Sequence, residues 1–207
     1  MAKAKSKTRY SVHPGVVMVQ DFIEKLPEKT GKSLDQWLAL VRTEGPATTK
    51  ERRAWLKEVH KLGTNYAMWI VEQAEGKGAE TSDPKVYLQA AEEYVEKMYS
   101  GAKEHLRPLF EALLELGLSM GAEAKACPCQ TMVPLYRNHV FAQIKPTTRT
   151  RIDFGLALGD AKASGKLIDT GGFAKKDRIT HRFEITSLAD IDTEVRRWLK
   201  QAYDRDA

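Results

Sequence analysis

Two cysteines in 207 residues are too few to staple a secreted scaffold, and Cys127 and Cys129 stand too close together for an ordinary structural disulfide. A chain so poor in thiol pairs suits a reducing compartment, so a cytoplasmic location is expected. No stretch approaches the roughly 18 uninterrupted apolar residues of a membrane-spanning helix, which makes a water-soluble protein the expectation, with no membrane partner. Lys3, Lys5, Lys7 and Arg9 have no apolar run behind them, so they read as neither a signal peptide nor an anchor. They predict a disordered basic arm over residues 1–12. The net charge of +5 is small, and four of those charges sit in this arm, so the basic balance says little about nucleic acid. Internal repeats, heptads and further low-complexity tracts are lacking, which excludes solenoids and coiled coils.

What is present is clear helix punctuation over the first 75 residues. His13-Pro14 opens a segment with Val16, Val19, Phe22, Ile23 and Leu26 at helical spacing, and Pro27 is expected to lie beyond its end. Ser33 with Gln36 and Thr48 with Glu51 each have the spacing of a capping box. Thr64 is expected to cap a fourth helix bearing Ala67, Ile70 and Val71. Trp37 and Trp55 are the expected anchors of a shared core, with Trp69 either joining them or facing a second domain.

After a Gly-containing polar linker over 75–82, Asp83-Pro84 begins another helix, and Leu106 to Leu114 mark one more, with Pro108 in its first turn or at a kink. Near position 122 the apolar rhythm switches to two. Strands are predicted over 132–137, 140–145 and 151–158 as an antiparallel meander, followed by a last strand over 179–186. On that strand Ile179, His181, Phe183 and Ile185 should share one face. Ser187 with Asp190 should start a C-terminal helix whose Leu188, Val195, Trp198 and Leu199 cover the sheet. The fold class is therefore α+β: a small N-terminal helical bundle (13–76), then an antiparallel sheet packed with helices (83–207).

The segments TGKSLDQWLALV, ERRAWLKEVHKLG and NYAMWIVEQA within 29–74 resemble a small helical family, domain of unknown function 4287. The segments VFAQIKP, RIDFGLAL, THRFEITSLADID and WLKQAY, within about 100–203, resemble a second family, domain of unknown function 5655. The resemblance implies architecture and no chemistry, since neither family has an agreed activity. One departure stands after Pro128, where Cys129-Gln130 replaces expected basic residues and removes cations that an anion site on that strand would use.

Several motifs invite chemical readings. Cys127-Pro128-Cys129 could share a soft metal only with ligands from elsewhere, and none stands nearby in sequence, so neither a metal nor a cofactor is assigned. The segment 159–166, GDAKASGK, has the wrong spacing and the wrong following residue for a phosphate-binding loop and reads as a surface loop. The turn around Leu62-Gly63-Thr64 suggests a helix-turn-helix, yet residues 65–75 offer no Lys or Arg to phosphates, which favours a bundle hairpin. Residues 137–182 hold ten bases against four acids, while 80–123 hold nine acids against four bases. Lys175, Lys176 and Arg178 follow a Gly-Gly turn that can bend around an anion.

His181 stands on the apolar side of its strand and needs a partner there, either a core hydrogen bond or a pocket. If a pocket, Tyr136, Arg137, Arg151, Asp153 and Arg178 are the groups expected with it. No combination of nucleophile, base and orienting group is evident, so no catalytic residue is assigned. The sequence thus points to a non-catalytic binding module for an anionic small molecule or a protein partner. The other two readings are nucleic-acid binding through the arm and helical part, and an enzyme with a cleft at His181.

Overall fold

The computed structural model describes residues 9–207, which divide into two compact units: residues 12–88, and residues 89–207 together with 9–11. The bulk of the expected arm, 1–8, lies outside the described residues. The part within them differs from that expectation. Arg9 pairs with Glu111 at 2.6 Å, Tyr10 is buried, and the Ser11 N–H donates to the Ala126 carbonyl at 2.9 Å. A buried tyrosine gains apolar contact that a solvated arm would forgo.

The first unit contains α1 (Pro14–Thr30), α2 (Leu34–Thr43), α3 (Thr49–Glu58) and α4 (Thr64–Ala74). Both capping boxes form, Ser33 with Gln36 and Thr48 with Glu51. α1 does not stop before Pro27 but continues a further turn. Proline there forfeits only the one N–H that would reach back to Ile23, while its carbonyl still accepts from Gly31 at 2.8 Å. The helix ends where Gly31 takes a φ of 76°, a left-handed value suited to glycine. The fourth cap also differs: Gly63 occupies the cap position, without a side-chain bond, and Thr64 is the first helical residue.

Leu26, Trp37, Val41, Leu56 and Ile70 are buried in this unit's core. Trp37 and Trp55 both meet the His60 ring edge-on, at 5.4 and 4.5 Å, and Trp69 packs edge-on against Phe22 at 5.2 Å, so all three join the helical cluster. Tyr66 stacks on Phe22, and Gln73 donates to the Gly78 carbonyl, so both side chains are engaged within the unit.

The division between units falls within α5 (Pro84–Met98), whose N-terminus is capped by Asp83 Oδ1 accepting from the Lys85 and Val86 N–H groups at 2.7 and 3.2 Å. In the second unit a 3-10 turn, Gly101–Leu106, leads into α6 (Arg107–Leu118), which takes Pro108 in its first turn. The sheet follows with β1 (Lys125–Ala126), β2 (Val133–Tyr136), β3 (Val140–Lys145), β4 (Ile152–Leu156), β5 (Ile168–Asp169) and β6 (His181–Ile185), and the chain closes with α7 (Thr193–Arg205). The strand order is β1-β2-β3-β4-β6-β5, antiparallel throughout. The meander β2-β3-β4-β6 follows the predicted strands. β1 and β5 are two-residue edge strands too short to show a rhythm.

Alternation places Val133, Leu135, Ile144, Phe154, Leu156 and Phe183 on a buried face, covered by α6 and α7. The register shift between Leu135 and Tyr136 leaves Phe141 without an opposite residue on β2, and both Phe141 and Ala142 are buried, as a bulge permits. Ser187 and Asp190 form their capping box around a separate 3-10 turn, and α7 starts later, capped by Asp192. Leu188 is accordingly 57% exposed and does not cover the sheet. Together these elements make an α+β protein in which no helix among the described residues is long and apolar enough to cross a membrane.

Phe154 is fully buried at the centre of the paired strands. Phe154→Ala is expected to lower stability by about 3–5 kcal/mol in chemical denaturation, the cost of an aromatic-sized cavity.

Candidate functional site

The same alternation that buries one face of the sheet brings Gln143 and Lys145 of β3, Asp153 and Gly155 of β4, and Arg182 and Glu184 of β6 onto the other. Register sets Lys145 opposite Asp153, Gln143 opposite Gly155, Gly155 opposite Arg182 and Asp153 opposite Glu184. Two arginines and two carboxylates interlock there. Arg182 Nη1 lies 2.9 Å from Asp153 Oδ1 and 2.8 Å from Glu184 Oε1. Arg151 Nη1 lies 2.8 Å from Glu184 Oε1. Arg151 Nε comes to 2.9 Å from Asp153 Oδ1, yet without the alignment of a hydrogen bond. Thr147 Oγ1 donates to the other Asp153 oxygen at 2.8 Å. Asp153 is thus held by three neighbours in a network of balanced charge.

Above this face an open depression of about 680 Å³ is lined by Gln143, Lys145, Asp153, Arg178 and Arg182 among others. Gly155 belongs to its floor. A Cβ at that position would stand 2.7 Å from Ile179 Cγ2 and 2.9 Å from Gln143 Cγ, so the close approach requires glycine. Ile179 therefore lies over the open face instead of continuing the line of His181 and Phe183, because the strand begins only at His181.

The loop from Thr170 to Arg178 forms one wall. Thr170 Oγ1 donates to the Thr180 carbonyl at 2.8 Å, Asp169 accepts from the Gly171 N–H at 2.8 Å, and the Asp177 N–H returns to the Gly172 carbonyl at 2.9 Å. Lys176 sits in the loop at φ 61°, a left-handed conformation that costs a non-glycine residue about 1–2 kcal/mol. On the loop's other side a second depression of about 750 Å³ is lined by Phe173, Lys176, Asp177, Arg178 and Arg205 with others. Phe173 is 59% exposed. Asp177 and Arg178 line both depressions, so one guanidinium stands on the wall between them.

Arg178 is held there by a buried carboxylate. Its Nε donates to the Val140 carbonyl at 2.8 Å and its Nη2 pairs with Asp206 Oδ1. Asp206 Oδ2 also accepts from the His139 N–H at 2.7 Å, and His139 Nδ1 lies 3.0 Å from Oδ1. Burial alone would push the Asp206 carboxyl up, but the His139 backbone and side chain, with the Arg178 charge, outweigh it and hold it below the usual carboxylate range. Two of the five guanidinium donors of Arg178 are used in these contacts, and its side chain is 50% exposed.

The other groups nominated from sequence are dispersed. His181 is buried, with Nδ1 2.8 Å from Thr180 Oγ1 and Nε2 2.9 Å from the Ala161 carbonyl. A carbonyl can only accept, so Nε2 carries the proton. Thr180 Oγ1, which accepts the Leu158 N–H at 3.2 Å, then donates to Nδ1. The ring is fully used in the core, and it lines neither depression. Arg137 pairs with Glu123 at 2.9 Å and lies over the Tyr203 ring, 4.6 Å from its centroid. Tyr136 is half-buried and its hydroxyl is pushed up by burial, then by the Cys127 and Cys129 thiols. Burial pushes Cys127 up to about 12 and raises Cys129, which leaves both as thiols at neutral pH. Among the described residues no three His, Cys, Asp or Glu side chains gather to hold a metal ion. The segment 159–166 is tied down, since Lys166 Nζ donates to Asp192 at 2.7 Å.

Of the nominated residues, the structure therefore groups Arg151 with Asp153, sets Arg178 beside them across the central depression, and places Tyr136, Arg137 and His181 elsewhere. Lys176 belongs to the basic run read after the Gly-Gly turn, while Arg182, Arg205 and Asp206 were not nominated. For Arg182 the signal was available, because it lies on the polar face of a strand whose alternation was read.

The Asp206 contacts carry a pH signature. A carboxyl held below its unfolded value contributes stability that is present above about pH 4 and is lost as the pH falls through its folded value. Asp206→Asn is expected to lower stability by about 1–3 kcal/mol at neutral pH, the worth of charge-assisted hydrogen bonds. Urea titrations should show the gap to the wild type closing below about pH 4.

Comparison with known proteins adds the lineage. Residues 18–76 match a domain of unknown function (DUF4287), the helical stretch from within α1 to the end of α4. Residues 95–206 match another domain of unknown function (DUF5655), which contains α6, α7, the whole sheet and both depressions. No match is found among curated proteins or among solved structures. With more than half of its length in that second match, the chain belongs to the family of domain of unknown function 5655, joined here to a domain of unknown function 4287.

Proposed function

We propose that this protein is a non-catalytic binding module for an anionic small molecule, taken up beside the loop from Thr170 to Arg178. The observation that carries this reading is the environment of Arg178. A buried carboxylate fixes the guanidinium at the wall shared by two depressions, while the side chain stays half exposed with donors to spare. Lys176 and Arg205 add charge to the same recess, and Phe173 adds an exposed aromatic face. The strained backbone at Lys176 supports the reading, because such conformations cluster where a side chain must be presented at a fixed place.

The exposed Phe173 is equally compatible with a protein surface, which makes a protein partner the second reading. Its pairing with three cations around one recess favours the small anion. A pocket of several hundred Å³ lined by a few convergent polar groups is typical for such ligands.

A thermal-shift screen with inorganic phosphate, sulfate, di- and tricarboxylates and mononucleotides tests the proposal. A ligand at a hundred times its Kd stabilises by about 2.7 kcal/mol. For a chain of this size that corresponds to roughly 5–10 °C. The shift should be lost in Lys176→Gln combined with Arg205→Gln, which spares the Asp206 contacts. A screen in which no anion raises the melting temperature, or in which the double variant responds like the wild type, overturns the proposal.

A further inference from the structure

A third depression, of about 470 Å³, opens in the second unit between the end of α5 and the turn joining β3 to β4. Its charge composition is one-sided: Lys97, Lys103, Lys145 and Arg149 line it, and no Asp or Glu does. None of the four makes an ion pair among the described residues, although the neighbouring face pairs Arg151 and Arg182 with Asp153 and Glu184. Lys103 Nζ is pinned by the Pro146 carbonyl, which holds its charge at the rim. Four cations around one hollow repel each other unless an anion joins them.

This hollow adjoins the central one, which in turn adjoins the loop recess across the wall at Arg178. Lys145 and Thr147 line both it and the central depression, as Asp177 and Arg178 line both the central one and the loop recess. Together the three adjoining hollows form a furrow that the Arg178 wall crosses. It runs from Lys97 and Arg149, past Lys145 and Arg182, over Arg178 to Lys176 and Phe173. Along it Asp153 and Asp177 are the only lining acids among the described residues. The central and loop cations are partly met by Asp153, Glu184, Asp206 and Asp160, whereas the four at the third hollow are not, and a ligand bearing charge at regular intervals can reach these and still engage Arg178 and Lys176. An exposed aromatic ring at one end supplies a stacking platform for a base.

We infer that the anion recognised by this protein is a phosphodiester chain, single-stranded nucleic acid laid along the furrow on the open face of the sheet. The inference rests on the anion-binding reading above and extends it to a ligand class. With one aromatic and many cations, backbone charge dominates, so binding is tolerant of sequence and steep in salt.

Fluorescence anisotropy of the full chain with labelled 15-mers of dT and of rU tests it, with an unlabelled poly-glutamate competitor and a salt series. Both oligomers should bind, and 2′-hydroxyl contacts would separate the two. Lys97→Gln, Lys145→Gln and Arg149→Gln together should weaken binding at least tenfold at low salt. The log-log salt slope should fall by about 2, since each phosphate contact contributes about 0.7 for single strands. Lys50→Gln with Lys57→Gln, in the helical unit, should change neither. Equal competition by poly-glutamate, an unchanged slope in the triple variant, or loss of binding on deleting residues 1–8 alone each overturns the inference. If mononucleotides or phosphate raise the melting temperature while neither oligomer binds, the inference falls and the small-anion reading stands. If nothing binds, both fall.

Discussion

A sheet covered on one side only has to sort its residues strictly, and that constraint governs the second unit. Phe154, Phe183 and Ile144 can meet α6 and α7 only if their neighbours in sequence, Asp153, Arg182 and Lys145, turn the other way. A slip of one residue would bury a carboxylate and two cations while exposing two aromatic rings. The register that makes the core therefore also assembles the charged face. Apolar burial, at about 25 cal/mol per Å², enforces an arrangement of charge that surface ion pairs, at about 0–1 kcal/mol each, would be too weak to impose.

Polar groups inside the structure serve a related purpose. His181 and Thr180 form a relay from the Leu158 N–H to the Ala161 carbonyl, tying the chain after β4 to the start of β6. Asp206 gathers the turn between β2 and β3, through His139, and the loop carrying Arg178. Both use buried polar atoms that would otherwise lack partners, so each fastens an irregular segment that has little apolar surface with which to hold itself. The candidate recess is built on one of these fastenings.

Much of the architecture was legible because its signals are local. Ser33 and Gln36, Thr48 and Glu51, and Asp83 with Pro84 declare helix starts within four residues, and alternation declares the four main strands. Pro27 misled because its missing donor is cheap near a helix end, and Leu188 because its capping box encloses a short turn. The site was less legible. Asp206 meets His139 across 67 positions, and nothing near either residue announces the other. The place of His181 on an apolar strand face announces a need for partners, but nothing in the sequence shows that Thr180 and Ala161 satisfy both nitrogens. The clustering of Lys97 and Lys103 with Lys145 and Arg149 is likewise a product of tertiary packing, since the first pair stands in a stretch rich in acids.

The absent side chain at Gly155 has a consequence for how this surface can diversify. Cations around the furrow stand on flexible stems and can be exchanged, one for another or for neutral groups, with little disturbance to the strands beneath. The floor has no such latitude, because even a methyl group there would press against the Ile179 and Gln143 side chains. Across descendants of this fold, the charges at the rim can drift while the depth of the hollow stays pinned to a single hydrogen atom.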